Sequence, residues 1–454
     1  MEQVLGLERT GRAKIAVIGS GISGLSCAWL LRKSCDVTVY ERDDRVGGHS
    51  HTVDVALNGS RIAVDTGFIV YNEPTYPNLT ALFAALDVPT AATDMSFAVS
   101  LDRGAYEYAG SDIWGLLAQP TNLLRPRFWS MINDLLRFYR QAPRDLPNMG
   151  EMTLSAYLDL HRYGQAFRDD HLYPMAAAIW STPVMQVGDY PASTFVRFCE
   201  NHGLLKVTGR PLWRTVRGGS RAYVARLTAG FADRIWTSTG VTGIRRDRAG
   251  VLITDSTDRA LRYDHVVLAC HADSALALLE TPTADERRIL SAFAYGRNEA
   301  VLHTDVDLMP RRRAAWASWN YLADRTSPVA SDRRLSVTYW MNTLQPLGDA
   351  PPLFVTINPL REPNPASVIS REMYAHPLFD VRSMRAQREV WSLQGRQNTW
   401  FCGAYMGAGF HEDGLQAGLA VAEDLGGIKR PWTVENESGR IVRTPVRSMQ
   451  EAAL

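Results

Sequence analysis

Lys14-Ile-Ala-Val-Ile18 is a short apolar run, and Gly19-Ser-Gly-Ile-Ser-Gly24 follows it directly. No other feature limits the fold as much. The run reads as a buried parallel strand. Leu25 to Lys33 then has helical spacing, and Val37-Thr-Val-Tyr40 is a second β-branched strand that ends at Glu41. A strand, a helix and a strand within about 30 residues form one parallel crossover unit. In that context Gly19-x-Gly21-x-x-Gly24 reads as a dinucleotide site. Gly19 allows the tight turn, Gly21 lets backbone approach a pyrophosphate, and Gly24 permits close helix packing. Ser23 lies in the same turn, where the free N–H groups of a helix start favour phosphate. Glu41 stands about 20 residues on, where a carboxylate accepts from a ribose.

The rest of the chain is long enough for two or three folding units at roughly 100–200 residues each. It has 454 residues, of which 46% are hydrophobic and 21% charged, so a wholly disordered chain is excluded. Lys+Arg 49 against Asp+Glu 48 gives a net charge of +1, which argues against a nucleic-acid binder. Only four of the basic residues are lysines: Lys14, Lys33, Lys206 and Lys429. The five cysteines form no CxxC pair, so neither a disulfide framework nor a metal site is expected. A reducing compartment fits, and no signal peptide or membrane span is legible. The expected location is cytoplasmic.

Short strands are expected again at Ile235–Ser238, Val241–Arg246, Val251–Thr254 and His265–Ala269, and strand then helix at Thr399–Cys402 and Gly414–Leu425. Aromatic-rich blocks separate these stretches. The expected fold is α/β: a Rossmann-like nucleotide-binding domain interleaved with an α+β substrate domain. The first takes residues 1–74, 217–280 and 396–430, the second 75–216 and 281–395, and 431–454 form a C-terminal tail.

Glu41-Arg-Asp-Asp-Arg-Val-Gly-Gly48 continues past the ribose position into a second glycine pair. This resembles the extended (GR2-type) fingerprint of the FAD-dependent amine oxidase superfamily, which includes monoamine and polyamine oxidases, protoporphyrinogen oxidase and phytoene desaturases. The resemblance implies FAD, with Arg42 and Arg45 near the ribose and phosphates and Gly47 and Gly48 against the cofactor. Where many members carry arginine after the glycine pair, this chain has His49. Asp65-Thr66-Gly67 matches the segment that runs beside the isoalloxazine ring. Gly240-Val241 resembles the adenine-contacting strand, and Ala269 closes the strand beside the turn. Phe401-Cys-Gly403-Ala-Tyr405 and Gly409-Phe-His-Glu-Asp413-Gly414-Leu415 resemble the C-terminal flavin motif. There a helix start would face the flavin N1/C2=O edge, with Asp413 as cap or cofactor contact.

In amine oxidases of this superfamily a lysine lies near flavin N5. The comparable stretch here, Asn298-Glu-Ala-Val-Leu-His303, has none, and His303 is the candidate base. The aromatic insertions suit either a tunnel for an apolar ligand or ordinary core. Leu116–Arg140 interleaves apolar residues with Arg125, Arg127, Arg137 and Arg140, which fits docking on an anionic membrane or a core helix with a solvated arginine face.

Trp180-Ser-Thr-Pro183, Ala315-Trp-Ala-Ser-Trp-Asn-Tyr321 and Gly409-Phe-His-Glu-Asp-Gly414 resemble a bacterial subgroup of FAD-binding proteins. Its members are often encoded beside cyclopropane-fatty-acid-synthase-like methyltransferases, and one branch is similar to the flavin-dependent desaturase of furan fatty acid synthesis. That resemblance implies a lipid substrate, a methyl-branched unsaturated phospholipid acyl chain, and a methyltransferase partner. Amine or polyamine oxidation, and a non-catalytic flavoprotein partnering a methyltransferase, are the alternatives.

Overall fold

The computed structural model describes residues 11–57, 59–110, 112–180, 187–206, 208–325 and 335–443. The chain divides into two interleaved units, one of three segments (Met1–Gly48, Leu227–Ser291, Gln387–Leu454) and one of two (His49–Arg226, Ala292–Ala386). Both mix helix and sheet, as the α/β reading expects.

The first unit is built on a five-stranded parallel sheet, in the order Ile235–Trp236, Asp36–Tyr40, Lys14–Ile18, His265–Leu268 and Thr399–Phe401. Val17 pairs with Val39 on one side and Val267 on the other, and Leu268 with Phe401. Helix Ile22–Leu31 is buried along its whole length, as an apolar helix must be when sheet and helix cover both its faces. The C-terminal helix His411–Gly426 is the second cover: a Cβ on its Gly418 would stand 2.1 Å from the Ser23 carbonyl oxygen. An antiparallel meander, Val241–Asp247, Gly250–Asp255 and Ala260–Tyr263, completes the unit.

The second unit carries a seven-stranded sheet, in the order Val368–Leu378, Ala294–His303, Phe354–Ile357, Leu335–Trp340, Trp319–Ala323, Phe97–Leu101 and Tyr106–Ala109. All its pairings are antiparallel except Trp319–Ala323 with Phe97–Leu101. A hairpin, Thr52–Leu57 with Ser60–Asp65, packs its Val55 and Val64 into a core with Leu302, Met341, Val355 and Tyr374. Helices come mainly from the first of its two segments, the longest being Pro126–Asp145. No helix among the described residues is long and apolar enough to cross a membrane.

Several boundaries differ from expectation. Residues 49–74 and 217–226 lie with the second unit, because Asp65 is held by Ser220 and Gln345 and strand Val70–Asn72 pairs with Trp213–Val216. Residues 281–291 lie with the first unit, where Glu286 forms a buried ion pair with Arg246. Residues 431–443 of the expected C-terminal tail are packed within the first unit. Arg430 is buried on Glu423, Trp432 stacks on Trp29 at 5.8 Å, and Arg440 reaches Asp413. The glycine-turn helix begins at Ile22, not Leu25, and the C-terminal helix at His411, not Gly414. The second aromatic block supplies five strands of the seven-stranded sheet. Residues 181–183 of the Trp-Ser-Thr-Pro phrase, the first ten residues and 444–454 lie outside the described residues.

Candidate functional site

In the first unit the glycine turn makes a cradle. Gly19 has φ +104, and a Cβ there would stand 2.9 Å from the Ala269 carbonyl oxygen. A Cβ on Gly24 would lie 2.0 Å from the Gly19 carbonyl oxygen and 3.1 Å from the Ala269 Cβ. Strand, turn and helix therefore meet backbone to backbone, with Ala269 small enough to fit. Gly21 differs: a Cβ there would meet nothing within 4 Å. Gly21 is also the N-cap of Ile22–Leu31, whose first turn has no side-chain cap and no acidic residue. That leaves an open approach to a positive helix end, which suits a pyrophosphate.

Ser20 ties the turn to both flanking motifs. Its N–H and Oγ donate to Glu41 Oε2 at 2.9 and 2.5 Å, and its carbonyl accepts from Gly47 N–H at 3.1 Å. Glu41 Oε1 accepts from Asp43 N–H at 3.0 Å. A carboxylate has about four acceptor sites, so Oε1 keeps room for one ribose hydroxyl. Gly48 packs on Gly21, at 3.1 Å from a Cβ on Gly48 to the Gly21 Cα, so the two glycine motifs form one surface. Arg45 is tied to its own loop. Its Nη1 donates to the Gly48 carbonyl at 2.7 Å and braces the loop. Arg42 is 79% exposed, with its Nε 3.5 Å from Asp43 Oδ1. Thr239 N–H donates to the Glu41 carbonyl at 2.8 Å, which brings Gly240 and Val241 beside the Glu41–Asp43 turn.

The C-terminal motif is braced from within. A Cβ on Gly403 would strike the Tyr405 ring at 2.4 Å, and Gln387 Nε2 donates to the carbonyls of Tyr405 and Gly407 at 2.8 and 2.6 Å. Asp413 is a cap: its Oδ2 accepts from Phe410 N–H at 2.8 Å, and Arg440 lies 3.3 Å from its Oδ1. Burial raises its carboxyl above the ordinary range, against those two donors. Gly414 packs toward Ser23 and Ile22, and Leu415 is core. With buried Glu412 and Asp413 in its first turn, this helix start is partly neutralised by its own side chains. Burial pushes the thiol of Cys270, next to Ala269, up to about 12, which favours the neutral thiol.

In the second unit Asp65 is the centre of a buried network. Its carboxylate accepts from Thr52 Oγ1 at 2.6 Å, Ser220 N–H and Oγ at 2.8 Å each, and Gln345 Nε2 at 2.9 Å. Gln345 Oε1 in turn accepts from the Asp65 N–H. Burial pushes this carboxyl up to about 6 in spite of the donors. Two residues on, Gly67 has to be glycine: a Cβ would lie 2.1 Å from the His49 carbonyl oxygen. Thr66 Oγ1 lies 2.8 Å from Tyr374 Oη, which is 3.2 Å from His51 Nδ1. The His49 ring packs on Tyr374 and His376 at 5.0 and 5.4 Å, and His376 Nδ1 is 2.9 Å from Asn298 Nδ2. Sequence reasoning missed His51, Tyr374, His376 and Gln345. Only the His49-x-His51 spacing could have pointed to any of them. Among the described residues no cluster of three His, Cys, Asp or Glu could hold a metal ion.

His303 does not fit the role of base. Its ring is fully buried, its Nδ1 accepts from Asp305 N–H at 3.0 Å, and its Nε2 lies 2.7 Å from Thr356 Oγ1. The neutral ring's proton is therefore on Nε2, donated to Thr356. Thr356 Oγ1 meets Thr338 Oγ1 at 2.8 Å, and Thr338 donates to the Leu308 carbonyl. Burial lowers this imidazole to about 4 and keeps it neutral. All four lysines are exposed, Lys206 included.

The family model for flavin containing amine oxidoreductases matches residues 22–304. The chain belongs to that family, and FAD is the cofactor that the cradle and the family define. A Mycobacterium tuberculosis protein named as a flavin-containing monoamine oxidase, AofH, is 27% identical over 254 residues, covering 54% of each chain. The chain thus spans about half the length of the curated relatives it matches. Among solved structures it is similar to putrescine oxidase with putrescine bound (TM-score 0.64, 15% identity, 91% of this chain and 98% of that one). Cyclohexylamine oxidase from Brevibacterium oxydans gives TM-score 0.63 at 16% identity, over 91% and 100% of the chains. A fatty acid isomerase from P. acnes that produces CLA gives 0.63 at 17%, over 90% and 97%. At these identities the likeness is one of fold.

Proposed function

We propose that this chain is an FAD-dependent oxidoreductase that dehydrogenates an apolar substrate, a methyl-branched monounsaturated phospholipid acyl chain. Bound FAD supplies a hydride acceptor at N5. Of two C–H bonds broken, one leaves with its electron pair and the other as a proton. The acyl chain loses two electrons and gains a double bond, and dioxygen or a quinone takes those electrons from the reduced cofactor.

One observation carries the apolar reading. Among the described residues the buried carboxylates of the second unit are Asp65, Glu107, Asp134 and Asp170, each committed to internal donors, while Glu372, 32% exposed, lies 3.7 Å from His51 Nδ1. Glu107 holds Arg312 and the N–H groups of Arg311 and Arg312. Asp170 holds Arg127 and Arg325, and Asp134 holds Arg137 and the Gly164 N–H. An ammonium brought inside would need a carboxylate of its own. The surface position of every lysine also separates this chain from the amine oxidases in which a lysine stands near N5. The fatty acid isomerase neighbour supports a fold that accepts an acyl chain. With His303 locked, His51 takes over as the proton acceptor, at Nδ1, where it meets Tyr374 beside the Thr66–Gly67 segment.

Amine oxidation is the second reading. It is favoured by the AofH relative and by the packed His49, Tyr374 and His376 rings, since aromatic faces also attract ammonium groups. The purified holoprotein should lose its flavin absorbance anaerobically with methyl-branched phospholipid and keep it with polyamines. Bleaching by amines alone would overturn the lipid reading. Bleaching by neither, with a methyltransferase retained through purification, would favour a non-catalytic partner.

A further inference from the structure

We propose that the surface formed by Asp112–Leu124 and the start of helix Pro126–Asp145 docks on an anionic lipid bilayer. This goes beyond the reaction above and stands whatever the substrate.

The segment has its polarity inside out. Tyr106–Ala109 is an edge strand of the seven-stranded sheet, with backbone groups that need partners. Side chains supply them. Glu107 N–H donates to Gln119 Oε1 at 2.8 Å, Asn122 Nδ2 donates to the Glu107 carbonyl at 2.9 Å, and Gln119 Nε2 to the Ala105 carbonyl at 3.1 Å. Gln119 and Asn122 are thereby buried. The apolar residues around them are held outward: Ile113 is 66% exposed, Trp114 77%, Leu124 84% and Trp129 53%. Of the eleven large hydrophobic residues exposed among the described residues, six fall between Ile113 and Leu136. Single exposed apolar residues need no explanation, whereas a cluster marks an interaction surface. The Trp129 indole N–H donates to the Leu123 carbonyl at 2.9 Å, so its one polar atom is satisfied at the protein and the ring is free to enter an apolar phase.

Charge selects the occupant. Arg125 is the N-cap of the helix, while Arg140 and Arg144 lie toward its other end on the stripe of Trp129 and Leu136 (i, i+7, i+11, i+15), and Arg140 Nε is anchored on the Leu136 carbonyl. The acidic groups nearby are turned to internal work. Asp112 caps the short helix through Gly115 N–H, Asp134 holds Gly164 N–H and Arg137, and Asp145 accepts from Tyr157 Oη. Arg127 is bound to Asp170, Arg137 to the carbonyls of His161 and Arg162, and Arg125 Nη2 to the Ala105 carbonyl at 3.0 Å, so the exposed charge of this face comes from Arg140 and Arg144. Protruding tryptophan and leucine tips rimmed by guanidinium groups match a phosphate-bearing interface with hydrocarbon beneath it.

The test is sedimentation of the holoprotein with vesicles of phosphatidylglycerol and phosphatidylcholine, and with phosphatidylcholine alone. Binding is expected to the anionic vesicles, to weaken with salt, and to fall about tenfold or more in the double variant Trp114→Ser, Leu124→Ser. Flavin content and thermal midpoint should not move, since both side chains are outside the core. The pair Arg140→Gln, Arg144→Gln should lower binding to anionic vesicles only. The proposal is overturned if the native protein stays in the supernatant at low salt. It is also overturned if the Trp114, Leu124 double variant binds like the native chain, or if that variant instead converts a vesicle-indifferent dimer into a monomer. Flavin bleaching by detergent-dispersed substrate reads the reaction separately from this surface.

Discussion

The two units are organised by different physics. The first works through backbone: its turn, its second glycine pair and its helix starts meet where side chains are absent. The second works through side chains that reach across the sequence, Asp65 to Ser220 and Gln345, Thr66 to Tyr374 and His303 to Thr356. Backbone sites tolerate almost no added volume, whereas side-chain networks fail one donor at a time.

Gly24→Ala should show this most strongly. Its new methyl cannot clear the Gly19 carbonyl, so FAD affinity falls by about 3 kcal/mol, or roughly a hundredfold, read as flavin content after dialysis. Next comes His51→Gln, which should slow flavin reduction about a hundredfold while leaving flavin content unchanged. An unchanged rate would return His51 to a structural role.

Asp65→Asn should cost about 2 kcal/mol of unfolding free energy, because an amide N–H₂ then faces the Gln345 or Ser220 donors. Its pH dependence has a definite sign. Burial holds the proton on folded Asp65 up to about 6 against an ordinary value near 3.8. The stabilisation due to this group is full below about 4 and fades as pH rises through 6. The stability gap between native protein and variant should therefore widen on acidification across that window.

His303→Gln is the mildest case, about 1 kcal/mol in stability with an unchanged rate of flavin reduction. Its imidazole is depressed to about 4, so its stabilising contribution is present above the ordinary value near 6.5 and fades as pH falls toward 4. The glutamine variant should lose that acid-side slope. A rate that collapsed with the fold intact would bring His303 back as the base.

The same contrast explains what was legible in the sequence. The glycine motifs could be read because each glycine answers a local demand of turn or helix packing, and Glu41 sits at a fixed distance from them. Arg45 misled, since a guanidinium beside a phosphate loop can equally brace the loop's own carbonyl. His303 misled because its partner Thr356, and Thr338 behind it, come from strands that no local pattern links to it. Gln345 and Tyr374 were invisible for the same reason. The buried helix start at Ile22 was placed late because Gly24 reads as a turn residue, although it lies inside the first turn of the helix.

The parallel sheet of the first unit has a consequence for biosynthesis. Strand Lys14–Ile18 and helix Ile22–Leu31 leave the ribosome long before the edge strand Thr399–Phe401 and the covering helix His411–Gly426. The nascent nucleotide turn stays uncovered while all the residues in between are made, with an apolar helix in need of shelter. Chaperone dependence, and a sharp loss of yield when the chain is cut short of residue 426, are built into this order of assembly.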